Sequence, residues 1–235
     1  MILRKVTISG ADDKSSISTM LGLSQIFPFV EWGVLLSETR RSTSRYPTAS
    51  WVESICTLAR NAAVQLCGHL CGQLARAVCK GHFPVQHDDV AFGRMQLNIA
   101  GCMDLIEDEG RVAACLPPGP EYILQVGGQH QHGIAMASRF AAAGVEVSVL
   151  FDASGGRGIC PGVWPDSADD VSCGFAGGLG PENVQEQLAC IEKTAKNRQV
   201  WVDLETNVRA ASGELDFVKV ATCLEISKKY ARLAV

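Results

Sequence analysis

The amino-acid sequence predicts an α/β protein, a single (β/α)8 TIM barrel over residues 1–235. Eight short β-prone runs alternate with helical segments, roughly 25–30 residues apart, as a barrel of ~250 residues requires. The glycine-rich turns come after the sixth and seventh runs, where barrels build phosphate sites. The first strand-to-helix turn, residues 9–13, lacks the G-x-G-x-x-G pattern of a dinucleotide-binding open sheet, which is the competing fold.

The strands are predicted from apolar and β-branched runs that polar or glycine-containing turns interrupt. Strand six ends in Asp152, and strand seven runs into Gly177 and Gly178. The predicted strands cover residues 3–9, 29–37, 63–71, 93–100, 122–126, 145–151, 171–176 and 199–204.

The helices are predicted from capping and breaking residues. Thr48 or Ser50 can cap the second helix, Gly81 and Pro84 end the third, and Pro181 suits a first helical turn. Residues 101–120 carry no clear pattern. The predicted helices cover residues 15–26, 47–61, 73–78, 133–143, 181–196 and 215–233.

Composition narrows the class of protein. With 235 residues, 47% hydrophobic and 20% charged, the chain can bury the core of one globular domain, although two small domains would also fit the length. A net charge of −4 disfavours a nucleic-acid partner, and no apolar stretch reaches the ~18 residues of a membrane span. Because Met1 opens no signal peptide, we expect a cytoplasmic monomer or homodimer whose ten cysteines are buried thiols.

The turn after strand seven is the clearest binding signal. Gly177 and Gly178 let the backbone approach a ligand closely, and the predicted helix that follows offers its N-terminus. A helix N-terminus attracts anions, most often phosphate. The sequence therefore predicts a small phosphorylated metabolite as the partner.

Several blocks of sequence resemble the phosphoribosylanthranilate isomerase family of (β/α)8 enzymes. The likeness is closest over residues 150–184 and thin elsewhere. The matching blocks are residues 7–10, 44–46, 96–97, 150–158 with Trp164, 176–184, and 202–203 with Val208, Gly213, Asp216 and Lys219.

The resemblance implies an Amadori rearrangement, in which an aminoaldose becomes an aminoketose without a cofactor. Asp152 stands at the position of the family's general acid, and Arg45 at the position that grips the anthranilate carboxylate. Gly177 and Gly178 match the phosphate-binding turn. The remaining candidate substrate or phosphate ligands are Gly156, Arg157 and Asp203.

The chain differs from the family at the residue that would act as the catalytic base. Ser9 stands where the family has a cysteine base, and a serine hydroxyl is a weak base unless a neighbour activates it. After strand eight, Glu205 brings a negative charge towards the expected phosphate, which Arg209 or Arg157 could offset. Further departures are Thr7 for lysine, Asn98 for histidine, and Thr206 and Asn207 for a Ser-Gly turn.

His69 could supply new chemistry. It titrates near neutrality at a strand end and could replace the missing base. Cys67, His69 and Cys71 alternate along one strand face and could share a zinc ion, although two buried thiols beside a hydrogen-bonded histidine explain the pattern more simply. Three hypotheses stay open: a sugar-amine isomerase, a barrel with lyase or metal-assisted chemistry, and a non-catalytic descendant that binds a phosphorylated metabolite.

Overall fold

A computed structural model describes residues 1–62, 64–84, 91–128, 130–152, 154, 157–168 and 170–231. Its eight strands form a closed barrel in sequence order, and every neighbouring pair is parallel, including β1 with β8. This confirms the predicted (β/α)8 fold. None of the helices in the described ranges is both long enough and apolar enough to cross a bilayer.

Helices cover the outside of the barrel between successive strands, except between β6 and β7, where the described residues form no helix. The strands are β1 Ile2–Ser9, β2 Val30–Leu36, β3 Gln65–Leu70, β4 Arg94–Leu97, β5 Glu121–Val126, β6 Val147–Asp152, β7 Ser172–Ala176 and β8 Gln199–Leu204. The helices are α1 Ile17–Ile26, α2 Ala49–Asn61, α3 Gln73–Cys79, α4 Glu109–Cys115, α5 His130–Ala142, α6 Val184–Ala195 and α7 Phe217–Ser227, with 3-10 turns at Met103–Leu105 and Thr206–Val208.

Three helices illustrate how the elements differ from the predictions. Helix α4 lies in the stretch without a clear pattern, and the Asp108 side chain caps it by accepting from the Arg111 N–H. Helix α6 begins at Val184, three residues after Pro181, because Asn183 folds back and its side chain binds the backbone of Gly178 and Gly180. Helix α7 ends at Ser227, short of the predicted residue 233.

The barrel interior is layered. Alternate residues of each strand point inward, and one apolar layer consists of Cys67, Ile123, Leu150, Ala176 and Trp201. Space for the Trp201 indole comes from its register partner Gly174, since a Cβ there would overlap the ring.

Charged side chains fill the interior beside this apolar layer. The buried carboxylate of Glu31 accepts from Thr7 Oγ1 at 2.9 Å and from Arg94 Nη1 at 3.0 Å, and Lys5 Nζ lies 3.3 Å away. Burial alone would raise the pKa of Glu31, but the charges of Arg94 and Lys5 outweigh it and hold that pKa below its ordinary value.

The residue after Glu31 on β2, Trp32, points outward to the helices instead of into the barrel interior. Its Nε1 donates to Ser24 Oγ at 3.0 Å, and its ring meets Phe217 edge-on. Sequence alone could not decide which of Glu31 and Trp32 points inward. The register of β2 places the carboxylate inside, where two cations satisfy it.

Substituting Gly174 by alanine tests the packing of Trp201. The added methyl would meet the indole of a filled interior, so we expect Gly174→Ala to lower the free energy of unfolding by about 1–3 kcal/mol. Gly22→Ala in α1 is the matched control, because a Cβ there meets nothing within 4 Å and should stabilise the helix by roughly 0.5–1 kcal/mol. Urea denaturation of the three proteins measures both effects. Equal stabilities of Gly174→Ala and the wild type would contradict this packing.

Candidate active site

A polar cavity of about 390 Å³ opens at the carboxyl ends of the strands. Active sites of (β/α)8 barrels lie at this face, because the strand ends and their loops converge there. All eight strands contribute lining residues: Ser9, Leu35, His69, Gln96, Gln125, Leu150, Asp152, Ala176 and Asp203.

Ser9, Asp203 and His69 form a buried cluster in this cavity. Ser9 Oγ donates to Asp203 Oδ1 at 2.7 Å, while Asp203 Oδ2 lies 4.0 Å from His69 Nε2. His69 Nε2 has no hydrogen-bond partner among the described residues, although the side chain is only 4% exposed. The cluster needs glycine at position 33, since a Cβ there would lie 2.5 Å from Ser9 Oγ and 3.0 Å from His69 Nε2.

Burial shifts the pKa of both titratable members of the cluster. Desolvation lowers the pKa of His69 from 6.5 to about 4, so its imidazole is neutral at pH 7. Burial raises the pKa of Asp203 well above its ordinary value. The Ser9 hydrogen bond opposes that increase, and the charges of Glu205, Asp152 and Glu31 add to it.

Asp152 is anchored at the same face. Gln125 Nε2 donates to its Oδ2 at 2.8 Å, and the N–H and hydroxyl of Ser154 donate to its Oδ1 at 3.1 and 2.9 Å. These contacts fix the carboxylate at the end of β6, where it lines the cavity with Asp203. The structure thus brings together three predicted catalytic candidates, Ser9, His69 and Asp152.

The two cysteines flanking His69 play different parts. Cys67 belongs to the apolar interior layer, and Cys71 accepts a hydrogen bond from Asn98 Nδ2 at 3.1 Å. Burial raises the pKa of Cys71 to about 11, so it is a thiol at neutral pH. Within the described residues there is no group of three or more His, Cys, Asp or Glu side chains that could hold a metal ion.

The glycine turn after β7 is covered by neighbouring chain. Gly177 and Gly178 have φ values of 130° and 63°, which only glycine adopts readily. A Cβ on Gly178 would also overlap the backbone of Cys160, and the Gly178 carbonyl accepts from the side-chain amides of Asn183 and Asn207. The turn therefore lines the cavity while the β6 and β8 loops pack closely around it.

The other predicted ligands differ in their exposure and in their hydrogen-bond partners. Arg45 lines the cavity, but its Nη1 donates to Glu205 Oε1 at 2.8 Å. Arg157 is exposed and its Nε donates to the Ser154 carbonyl at 2.8 Å. Gly156 lies outside the described residues. Arg209 is buried, and its guanidinium donates to the carbonyls of Ser9 and Gly10 instead of to Glu205.

The site residues predicted from sequence did not include three polar lining residues, Gln125, Gln96 and Ser154, although the last two lie in blocks that resemble the family. A usable signal existed for Gln125, which is polar between the apolar Leu124 and Val126 and lies one residue from the carboxyl end of β5. Asn98 was noted only as a departure from the family, yet it links Gln96 to Cys71.

The fold and cavity place the chain in the class of (β/α)8 barrels with a polar cavity at the carboxyl ends of the strands. No protein-family model matches the sequence, and no curated protein matches it. Solved structures do resemble it. A phosphoribosyl anthranilate isomerase from Thermus thermophilus has a TM-score of 0.61 at 18% identity, covering 96% of this chain and 98% of that one.

Two further structures show how far this likeness extends. A phosphoribosyl anthranilate isomerase in complex with reduced 1-(o-carboxyphenylamino)-1-deoxyribulose 5-phosphate has a TM-score of 0.57 at 16% identity, over 97% of this chain and 100% of that one. A phospho-2-dehydro-3-deoxyheptonate aldolase from Thermotoga maritima has a TM-score of 0.60 at 13% identity, over 97% and 69%. At these identities the likeness establishes the shared barrel fold.

The lowered pKa of His69 predicts a pH-dependent contribution to stability. Between pH 6.5 and about pH 4 the unfolded chain binds a proton at His69 that the folded chain excludes, so stability falls as the pH falls. We expect the stability advantage of the wild type over His69→Gln to shrink by roughly 3 kcal/mol across this window. Urea denaturation from pH 7 to pH 4 measures it, with the exposed His132→Gln as control. A pH-independent difference would contradict a neutral buried imidazole.

Proposed function

We propose that the cavity binds a phosphorylated sugar-amine and converts the aminoaldose into an aminoketose, with Asp152 and Asp203 as the acid–base pair. One observation carries this proposal: two carboxyl groups from β6 and β8 face one cavity, each held by hydrogen-bond donors. Acid–base isomerisation needs such a pair, one group to give a proton and one to take a proton.

Asp152 acts as the general acid, in agreement with the sequence resemblance. It transfers a proton to the ring oxygen, the C1–O bond breaks, and the nitrogen lone pair forms the C1=N double bond of an iminium ion. Gln125 and Ser154 keep its carboxyl group at the cavity wall throughout. Fixed donors of this kind preorganise a catalytic group.

Asp203 acts as the base in place of the family's cysteine. It removes the proton from C2, the C–H electron pair forms the C1=C2 bond, and the iminium nitrogen becomes a neutral amine. Protonation at C1 and loss of the hydroxyl proton at C2 then give the ketone. A raised pKa makes Asp203 a stronger base than an ordinary aspartate, and Ser9 orients it through the 2.7 Å hydrogen bond.

His69 holds the substrate in this scheme. Its neutral imidazole carries an unpartnered Nε2 in the cavity, next to Asp203 Oδ2. A buried polar atom without a partner is costly, and a sugar hydroxyl would satisfy it. We therefore assign His69 to binding a hydroxyl beside the reacting C2, in preference to the role of base.

The phosphate end of the ligand is assigned to the turn at Gly177 and Gly178, with Arg157 in the adjacent loop. Support comes from the cavity wall, which includes both turn glycines, and from the similar barrel whose complex contains a 5-phosphate compound. Backbone N–H groups at such turns suit phosphate oxygens.

The activity can be tested with N-glycosides that ribose 5-phosphate forms with primary aromatic amines, by following the ketose product. We expect Asp152→Asn and Asp203→Asn each to lower kcat/KM by about 10²-fold or more. The wild-type rate should rise with pH as Asp203 loses its proton, through a pKa well above that of an ordinary aspartate. Asp166→Asn, at an exposed ion pair with Lys196, is the matched control.

The same assay separates the second candidate function, a non-catalytic barrel that binds a phosphorylated metabolite. Ser9 favours that candidate, because a serine stands where the family has its cysteine base, and a serine hydroxyl is a weak base. Binding of ribose 5-phosphate without turnover of any glycoside would support it. Full activity in Asp203→Asn would instead reject Asp203 as the base.

A further inference from the structure

Arg45 is fixed at the cavity wall by its own backbone. Its φ of 73° lies in the left-handed region, which is uncommon for a residue with a side chain. The buried carboxylate of Asp12 stabilises this conformation by accepting from the Arg45 N–H at 2.9 Å. The guanidinium is therefore directed towards the cavity by the fold.

Glu205 is fixed beside Arg45 at the same opening. It directly follows β8 and precedes the 3-10 turn Thr206–Val208. That turn is anchored, because Asn207 Nδ2 donates to the Gly178 carbonyl at 2.7 Å and the Thr206 side chain occupies the space that a Cβ on Gly158 would need. The loops after β2 and β8 thus bring the Arg45 guanidinium, 32% exposed, to 2.8 Å from the Glu205 carboxylate, 26% exposed.

The cavity has no surplus of positive charge in the part of the chain that the structure describes. Its charged lining residues are two arginines, Arg40 and Arg45, and three acids, Asp152, Asp203 and Glu205. Arg40 lies over the Tyr46 ring, with its Cζ 5.6 Å from the centroid. A ligand carboxylate at this wall would compete with Glu205 for the Arg45 guanidinium, and the negative charge of Glu205 would repel it.

We propose that Glu205 determines specificity: it acts as an internal carboxylate that occupies Arg45, so that the amine portion of the ligand at this wall carries no carboxylate. The inference rests on the proposed sugar-amine function and names the class of amine. It replaces the expectation, drawn from the family resemblance, that Arg45 grips an anthranilate-type carboxylate.

Calorimetric titration with anthranilate and with aniline, which differ by one carboxylate, tests this proposal without requiring turnover. We expect the wild type to show no preference for anthranilate. Glu205→Ala and Glu205→Gln free the guanidinium, and a charge-assisted hydrogen bond should then strengthen anthranilate binding by about tenfold, with aniline unchanged. Adding Arg45→Ala to Glu205→Ala should abolish the gain.

Glu214→Ala is the matched control, because Glu214 pairs with Lys14 and does not line this cavity. Thermal melts of each variant show whether it folds, and the isosteric Glu205→Gln keeps the test open if Glu205→Ala does not. Wild-type preference for anthranilate, or no gain in either folded Glu205 variant, would overturn the proposal.

Turnover distinguishes this proposal from the proposed function. If the wild type isomerises the aniline glycoside of ribose 5-phosphate faster than the anthranilate glycoside, and Glu205→Gln reverses the order, both proposals hold. Faster turnover of the anthranilate glycoside by the wild type rejects the role of Glu205 alone. Absence of turnover with both glycosides counts against the isomerase, while the calorimetric comparison still decides the role of Glu205.

Discussion

The buried ion pair of Glu31 with Arg94 is the interaction on which the barrel interior depends. Taking two charges out of water costs several kcal/mol each, and only close pairing offsets that cost. Here the pairing extends across the barrel: Thr7 and Lys5 on β1 meet Glu31 on β2, and Arg94 on β4 also approaches Glu121 on β5 at 3.4 Å. Removing one partner would leave an uncompensated charge inside a closed ring. The network therefore specifies which strand faces point inward, and with them the residues that reach the cavity.

One physical cause, burial, gives the two titratable groups at the cavity floor opposite properties. It lowers the pKa of His69 and raises that of Asp203, because in each case the neutral form is favoured. A neutral imidazole can share a hydrogen bond with a ligand hydroxyl, and a carboxyl of raised pKa suits proton transfer. Both features cost stability that a purely apolar floor would keep, as is common at functional sites.

The loops that follow β7 and β8 pack against each other at the mouth of the cavity. Gly177 and Gly178 keep the conformations that a tight turn requires, yet Asn183, Asn207 and the segment at Cys160 pack around them. Glu205 then meets Arg45 instead of standing as an isolated charge beside a ligand. The negative charge that Glu205 brings to the cavity is therefore paired in the folded protein.

The order of strands and helices, the closed barrel and the position of Asp152 at a strand end follow from local sequence, because periodicity and turn residues act over a few neighbouring positions. Helix α4 was not predicted, because its seven residues are too few to show an amphipathic period, although Asp108 and Glu109 are a capping signal. Local sequence also could not predict which residues the site residues contact. Ser9 with Asp203, and Arg45 with Glu205, lie 194 and 160 residues apart in the chain. Sequence by itself determined that a barrel forms and which chemical groups stand at its strand ends. Only the tertiary structure decided which of those groups face one another, because closing the ring joins the first strand to the last.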